Sequence, residues 1–268
     1  MIWSWGAVGR LSPQRRRFWV AIVGLVLVVV LVPVARVVVD RVTPTDPVAQ
    51  DEPGPVLLLP GYGGSTASLE TLEFFLTRDG RDVTIVAPDD GTGDLREQAE
   101  GLAASIDDVL DRSGADSVDL VGYSAGGVVV RWYVQELGGD DVVRRVVTLG
   151  SPHHGTDLAA LAAGVAGGAC PVACQQLAPD SDLLFTLNRG DETPAGPRYT
   201  AIWTEDDQTV LPADSGSLDG ALSYAVQDVC PDLTVSHGDL PRAGVVLVMV
   251  QAALGVDRPR VPGARVCG

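Results

Sequence analysis

The sequence contains no lysine, and only three of its 268 residues are histidine. A phosphate loop of the G-x-x-x-x-G-K-S/T type needs a lysine, so the glycine run at 61–64 does not predict nucleotide binding. Three histidines without a C-x-x-C pair do not provide the ligands of a structural zinc site. We therefore predict no metal and no cofactor. No acidic cluster has EF-hand spacing, but a calcium site built from distant loops stays open, since it would leave no spacing to recognise.

Basic charge is also scarce beyond the N-terminal region. Residues 51–268 contain 13 arginines and 33 acidic residues, a formal charge of −20. Such a surface repels phosphate backbones, which excludes nucleic acid as an expected partner. Because acidic side chains also maintain solubility, the charge itself identifies no protein partner, and we expect a monomer.

The longest apolar run covers residues 18–35, which include no charged side chain. A soluble core helix would show polar positions at helical spacing, so this run predicts a membrane segment within a basic N-terminal region at 1–41. Arg10 and the arginines at 15–17 precede the run, and the positive-inside rule keeps that end in the cytoplasm. The rest of the chain is then expected outside the cell membrane.

Whether this segment anchors the protein or is cleaved depends on residues 33–39. Pro33-Val34-Ala35 is a poor small-x-small cleavage site, and the apolar run resumes at 37–39. We favour a single-pass anchor, with secretion after signal cleavage as the alternative. Residues 42–55 contain four prolines and no apolar periodicity, which predicts a linker to a catalytic domain at 56–268.

Four cysteines lie beyond the membrane segment, in agreement with export to an oxidising compartment. An even number predicts two disulfides, and three pairings are possible. We prefer Cys170 with Cys174, which closes a small loop, and Cys230 with Cys267, which holds the C-terminal tail.

Strand and helix patterns alternate from residue 56 onward. This alternation predicts an α/β fold, a mostly parallel sheet with helices on both faces and the active site at the carboxyl ends of the strands. The predicted strands are 56–59, 82–87, 117–122, 142–149, 199–203 and a short one near 224–229. The predicted helices are 69–76, 95–110, one beginning after residue 124, and 243–254. Residues 157–197 interrupt the pattern as an insertion, either a lid or wall over an apolar pocket or ordinary packing helices.

The sequence Gly122-Tyr123-Ser124-Ala125-Gly126 joins an apolar strand to a helix. A serine in such an elbow sits in a strained turn with its hydroxyl exposed, and the flanking glycines avoid collisions with neighbouring backbone. Ser124 is therefore the predicted nucleophile. The resulting oxyanion needs two backbone N–H donors. We expect these from Ala125, which follows the nucleophile, and from Tyr62 in the glycine-rich loop.

A serine hydroxyl needs a histidine to take its proton and a carboxylate to orient that histidine. His153 and His154 precede the acidic candidates, whereas this elbow type has the order Ser, acid, His, so we predict His237 as the base. The acid should follow the strand at 199–203, where residues 205–207 are all acidic. We favour Asp207, while Asp206 and, after the preceding strand, Asp157 remain alternatives.

These motifs resemble the α/β-hydrolase superfamily, and within it the compact secreted bacterial lipases and esterases, including actinobacterial ones. The likeness covers about residues 55–255. The segments that carry it are Pro60-Gly61-Tyr62-Gly63-Gly64, the serine elbow, Pro152-His153-His154-Gly155-Thr156 and the run from Tyr199 to Val210. The resemblance implies an acid at Asp207, and a structural or site-wall role for His154. Pro60 and Tyr123 replace histidines that are common in these lipases.

We therefore predict a serine carboxylic-ester hydrolase that cleaves lipid or acyl esters through an acyl-enzyme on Ser124. An acyltransferase or amidase would use the same triad. A catalytically silent, membrane-tethered binding module is the alternative from another class, because a fold does not by itself imply catalysis.

Overall fold

The computed structural model describes residues 48–165 and 170–268, together with Gln14 and Ile22. The chain divides into two units, Met1–Thr45 and Asp46–Gly268. The predicted membrane segment and basic tail fall outside the described ranges, as does the first part of the predicted linker. Within those ranges, no helix combines the length and the apolar character needed to cross a bilayer.

Six parallel strands form one sheet in the order β2-β1-β3-β4-β5-β6. They are β1 (Val56–Leu59), β2 (Val83–Ile85), β3 (Val118–Tyr123), β4 (Val143–Leu149), β5 (Arg198–Trp203) and β6 (Leu222–Ala225). All strands therefore end at the same side of the sheet, as the alternating pattern predicts.

Of the α-helices in the described residues, six lie between strands and two follow β6. They are α1 (Glu70–Arg78), α2 (Leu95–Ser113), α3 (Ala125–Glu136), α4 (Asp157–Val165), α5 (Val172–Gln176), α6 (Asp182–Leu187), α7 (Val226–Val229) and α8 (Gly244–Ala253). The longest, α2, begins at Asp94, whose side chain accepts a hydrogen bond from the Arg96 N–H, and ends at Gly114 in the left-handed conformation.

Helices cover both faces of the sheet because side chains alternate along each strand. In β1, Leu57 and Leu59 join the apolar cluster beneath α2 and α3, whereas Val56 and Leu58 join the cluster beneath α1 and α8. All residues of β1, β3 and β4 are buried. Burial on both faces explains why these strands are mostly apolar, with charged residues only near the amino ends of β3 and β4.

The sequence prediction is wrong at the last strand. The strand begins at Leu222 and ends at Ala225, and residues 226–229 form α7 instead. The Asp228 side chain accepts a hydrogen bond from the Ala225 N–H at 2.8 Å, which favours a helix start there. A four-residue helix has too few turns for a visible apolar period.

Residues 157–197 contain three short helices, α4 to α6. In α6, Leu183, Leu184 and Leu187 are buried in the core cluster, so this part of the segment packs against the domain. In α4, Leu158 and Leu161 are exposed. The structure pairs Cys170 with Cys174 and Cys230 with Cys267, so the first disulfide lies in this segment and the second holds the tail.

The amino ends of β3 and β4 bury an ion cluster. Asp119 accepts hydrogen bonds from Arg144 Nε at 2.9 Å and Nη2 at 2.6 Å, and from Arg81 Nη2 at 2.5 Å. Asp119 and Arg144 are completely buried. Arg144 also donates to the Leu254 carbonyl at 2.7 Å and the Gln50 carbonyl at 3.0 Å, so the cluster joins both ends of this unit to the sheet.

Candidate active site

Ser124 has φ 53° and ψ −125°, between the end of β3 and the start of α3. It is the one non-glycine residue with positive φ in the described ranges. Such a conformation costs about 1–3 kcal/mol and persists only where the surrounding structure holds it. Its N–H donates to the Leu149 carbonyl of β4 at 2.8 Å, which holds the strained turn against the neighbouring strand.

The glycines of the elbow permit two close backbone contacts. A Cβ on Gly122 would lie 2.4 Å from the Gly127 Cα, and one on Gly126 would lie 2.5 Å from the Pro60 carbonyl oxygen. Both positions therefore exclude any larger residue, as the motif predicts.

The structure brings Ser124, His237 and Asp207 together although they lie far apart in the sequence. His237 Nε2 is 3.1 Å from Ser124 Oγ, and His237 Nδ1 is 2.6 Å from Asp207 Oδ2. Ser124 is 9% exposed, His237 8% and Asp207 4%, so all three residues are largely shielded from solvent. The contacts join a hydroxyl, an imidazole and a carboxylate in the order that serine activation requires.

The second oxygen of Asp207 is also occupied. Its Oδ1 accepts hydrogen bonds from the Thr209 and Val210 N–H groups, both at 2.8 Å. These donors fix the orientation of the carboxyl group and leave Oδ2 facing the imidazole.

The other acidic candidates do not contact His237. Asp206 Oδ2 accepts from Gln227 Nε2 and from the Val235 N–H, Glu205 is exposed, and Asp157 lies exposed at the start of α4. Spacing alone could not separate these carboxylates, because neighbours in an irregular loop point in different directions.

Tyr123 and Gly150 surround the imidazole. The Tyr123 hydroxyl donates to the His237 carbonyl at 3.3 Å, and its ring lies 5.2 Å from the imidazole centroid. Burial and the nearby charge of Asp207 raise the pKa of Tyr123 to about 12, so it stays a neutral donor. Gly150 has φ 53°, and a Cβ there would lie 3.2 Å from His237 Nδ1.

The two remaining histidines bond elsewhere. His153 is completely buried, its Nε2 lies 2.9 Å from Thr148 Oγ1, and burial followed by the charge of Arg131 holds its pKa well below the usual value. His153 is therefore a neutral structural residue. His154 Nε2 lies 3.0 Å from Glu192 Oε1, away from the serine.

The predicted oxyanion donors lie on the two segments that flank the elbow. Ala125 is the first residue of α3, so its N–H has no acceptor within the helix. Gly61, directly before Tyr62, lies so close to Ser124 that a Cβ on it would be 2.9 Å from the Ser124 Cβ. The donor role of Tyr62 stays a prediction.

In residues 48–165 and 170–268, no three His, Cys, Asp or Glu side chains are grouped to bind a metal ion.

A cavity of about 330 Å³ adjoins the elbow between Pro60 and Gly126. None of the residues that line it is basic, and four are acidic: Asp89, Asp90, Asp94 and Glu97. Hydrogen bonds from Thr92 lower the pKa of Asp90, so this carboxylate stays ionised. The cavity therefore has a negative wall that disfavours anionic groups.

Comparison with known proteins agrees with this architecture. Residues 54–165 match the family model described as alpha/beta hydrolase fold. Lipase B of Aspergillus fumigatus has a TM-score of 0.67 at 22% identity, over 81% of this chain and 57% of that one. The mature Bacillus licheniformis lipase BlEst2 has a TM-score of 0.64 at 19% identity, over 79% of this chain and 96% of that one. The chain therefore has the α/β-hydrolase fold.

The sequence is also similar to two bacterial triacylglycerol lipases. The one from Vibrio cholerae serotype O1 is 34% identical over 117 residues, which cover 41% of this chain and 36% of the relative. The one from Pseudarthrobacter phenanthrenivorans is 31% identical over 116 residues, 39% of this chain and 35% of the relative. The chain thus spans about a third of the length of these relatives.

Sequence reasoning missed the polar residues that support the contacts among Ser124, His237 and Asp207. Thr204 is completely buried, and its Oγ1 donates to the Val235 carbonyl at 2.7 Å. Gln227 in α7 contacts both the acid loop and the histidine loop. Neither residue belongs to a motif, so no signal in the single sequence could have found them.

Proposed function

We propose that this chain is a serine carboxylic-ester hydrolase acting on uncharged lipid or acyl esters. His237 Nε2 takes the Ser124 proton as Oγ attacks the ester carbonyl, and Asp207 stabilises the resulting imidazolium. The Ala125 and Tyr62 N–H groups bind the oxyanion. The imidazolium then protonates the leaving alcohol, which gives the acyl-enzyme. Finally, His237 deprotonates a water molecule that attacks the acyl carbon, and the imidazolium returns the proton to Ser124 Oγ as the acid is released.

The observation that carries this proposal is the pair of contacts on one imidazole, 3.1 Å to Ser124 Oγ and 2.6 Å to Asp207 Oδ2. Each ring nitrogen has one partner, so the tautomer that accepts the serine proton is favoured. The relatives named triacylglycerol lipase support an ester substrate. The formal charge of −20 over residues 51–268 supports an uncharged one, because such a surface repels anions.

Labelling with a fluorophosphonate probe tests the nucleophile. The domain should become labelled, and Ser124→Ala should remove both the label and the hydrolysis of p-nitrophenyl butyrate. Two results would contradict the enzyme proposal and favour a silent binding module. The wild-type protein could fail to react with the probe, or Ser124→Ala could be labelled as strongly as the wild type.

The acceptor specificity needs a separate measurement. With added alcohol, a hydrolase should release mainly free acid, whereas predominant formation of a new ester would identify an acyltransferase. Faster cleavage of the matching p-nitroanilide would identify an amidase.

The preference for uncharged esters can be tested with a carboxylated analogue. p-Nitrophenyl hemisuccinate should react more slowly than the butyrate, and a faster reaction would contradict the preference.

For the cellular location, we propose a single-pass membrane anchor at residues 18–35 with the catalytic domain outside. The uncharged apolar run and the preceding arginines support this orientation. Protease added to intact cells should degrade the domain. Sequencing of the mature N-terminus separates the alternatives, because a start beyond residue 35 would mean secretion.

A further inference from the structure

The loop after β5 and the loop that carries His237 are joined by three polar side chains. Thr204, Asp206 and Gln227 contact both loops, and we name them the histidine clamp. One member of the clamp, Asp206, directly precedes Asp207 in the chain. A clamp in this position can set the distance between the acid and the base.

The contacts concentrate on Val235, two residues before His237. Its N–H donates to Asp206 Oδ2 at 3.1 Å, and its carbonyl accepts from Thr204 Oγ1 at 2.7 Å. Both backbone groups of this residue are therefore bound to the acid loop. Val235 is also buried, whereas its neighbours Thr234 and Ser236 are exposed.

Gln227 extends the clamp to a second point on the histidine loop. Its Nε2 donates to Asp206 Oδ2 at 2.9 Å and to the Leu233 carbonyl at 3.1 Å. Its Oε1 accepts from the Glu205 N–H at 3.0 Å. The same amide therefore contacts backbone on both loops.

We infer that Thr204, Asp206 and Gln227 are positioning residues for His237. This inference rests on the proposed function. Asp207 and Val235 are held by adjacent parts of one hydrogen-bond network, so the network maintains the contact between Asp207 and His237. Misplacement by about 1 Å can cost on the order of 10²-fold in rate even when the changed residue does not touch substrate.

The chemistry of the clamp predicts which substitutions it tolerates. One carboxylate oxygen of Asp206 accepts both hydrogen bonds, and both donors are uncharged N–H groups. An asparagine keeps such an oxygen, so Asp206→Asn should support positioning, whereas Asp206→Ala should not. Gln227 must donate, so Gln227→Glu should fail, because it removes the donor and places two carboxylates together.

The test compares these variants in the full-length protein with p-nitrophenyl butyrate, counting active sites with a fluorophosphonate. For Asp206→Ala and Gln227→Glu we expect kcat per titrated site to fall by about 10- to 100-fold, with KM within about threefold. Asp206→Asn should stay within about threefold of wild type. Glu205→Ala is the matched control, because only its backbone N–H contributes to the network.

Two outcomes would overturn the inference. Asp206→Asn could lose as much as Asp206→Ala, or the loss in Asp206→Ala could disappear once rates are divided by titrated sites. The last outcome would mean an ordinary stabilising role.

A second measurement does not depend on turnover, so it can distinguish failure of this inference from failure of the proposed function. The His237 Nδ1 proton should give a far-downfield NMR resonance in wild type and in Asp206→Asn. That resonance should be lost or broadened in Asp206→Ala. An unchanged resonance in Asp206→Ala would contradict the clamp even if the protein hydrolyses no ester.

Discussion

The two ends of the sheet bury charge in opposite ways. At the amino end, the Asp119 carboxylate is bound by Arg144 and Arg81, whose charges do not depend on a mobile proton. At the carboxyl end, the buried Asp207 carboxylate faces the imidazole of His237. The charge of Asp119 is therefore compensated permanently, while the compensation of Asp207 changes with the protonation of one ring.

This difference separates stability from chemistry. The arginine side chains of the amino end bind the carbonyls of Gln50 and Leu254, which joins distant parts of the chain. The carboxyl end holds a strained serine, and its buried carboxylate can stabilise an imidazolium when a proton arrives. We expect substitutions at the amino end to change the free energy of unfolding, and substitutions at the carboxyl end to change the rate of ester hydrolysis.

The largest expected effect is that of Asp207→Asn. An asparagine favours the wrong imidazole tautomer, so kcat should fall by a factor of about 10⁴, equivalent to about 5.5 kcal/mol in the barrier. Ester hydrolysis measured beside a thermal melt checks this. Near-normal turnover in Asp207→Asn would show that Asp207 is not the acid, and the melting temperature should change little in either case.

The next effect belongs to the amino end. Asp119→Asn leaves the buried guanidinium of Arg144 without its counter-charge, and breaking a buried pair in this way costs about 3–5 kcal/mol of the free energy of unfolding. Guanidinium chloride unfolding measures the loss. Activity per folded molecule should persist, and a selective loss of kcat without loss of stability would contradict the separation of the two ends.

The sequence predicted all six strand locations because their apolar runs are bounded by turn residues and alternate with helical stripes. It failed at residues 226–229, where a four-residue helix shows no period. It could also have predicted the ion cluster, since Asp119 and Arg144 interrupt apolar strands and a buried charge needs a partner.

For the candidate site, the elbow motif located Ser124 because a strained turn restricts which residues can flank it. The acid was harder to choose among residues 205–207, since side-chain direction in an irregular loop depends on tertiary contacts. Those contacts include the bonds from Val235 and Gln227 to Asp206, and no local pattern records them.

The two disulfides should differ in the stability they provide. Cys230 and Cys267 are separated by 37 positions, and Cys170 and Cys174 by 4. Loop-closure entropy predicts about 4 kcal/mol for the long loop and about 2 kcal/mol for the short one, a difference of about 2 kcal/mol. Denaturant unfolding of the two double alanine variants measures this difference. Equal losses would mean that the unfolded chain is not restricted in proportion to loop length.

The smallest effect is expected at an exposed ion pair, which is the matched control for the amino end. Arg112 and Asp108 lie four residues apart in α2, 3.1 Å from each other, with side chains 63% and 68% exposed. Water and salt screen such a pair, so Asp108→Asn should cost at most about 0.5 kcal/mol, several-fold less than Asp119→Asn. Unfolding in low and high salt tests this, because the exposed pair should weaken with salt and the buried pair should not. If both substitutions cost the same, burial would not be the reason that the amino end stabilises the fold.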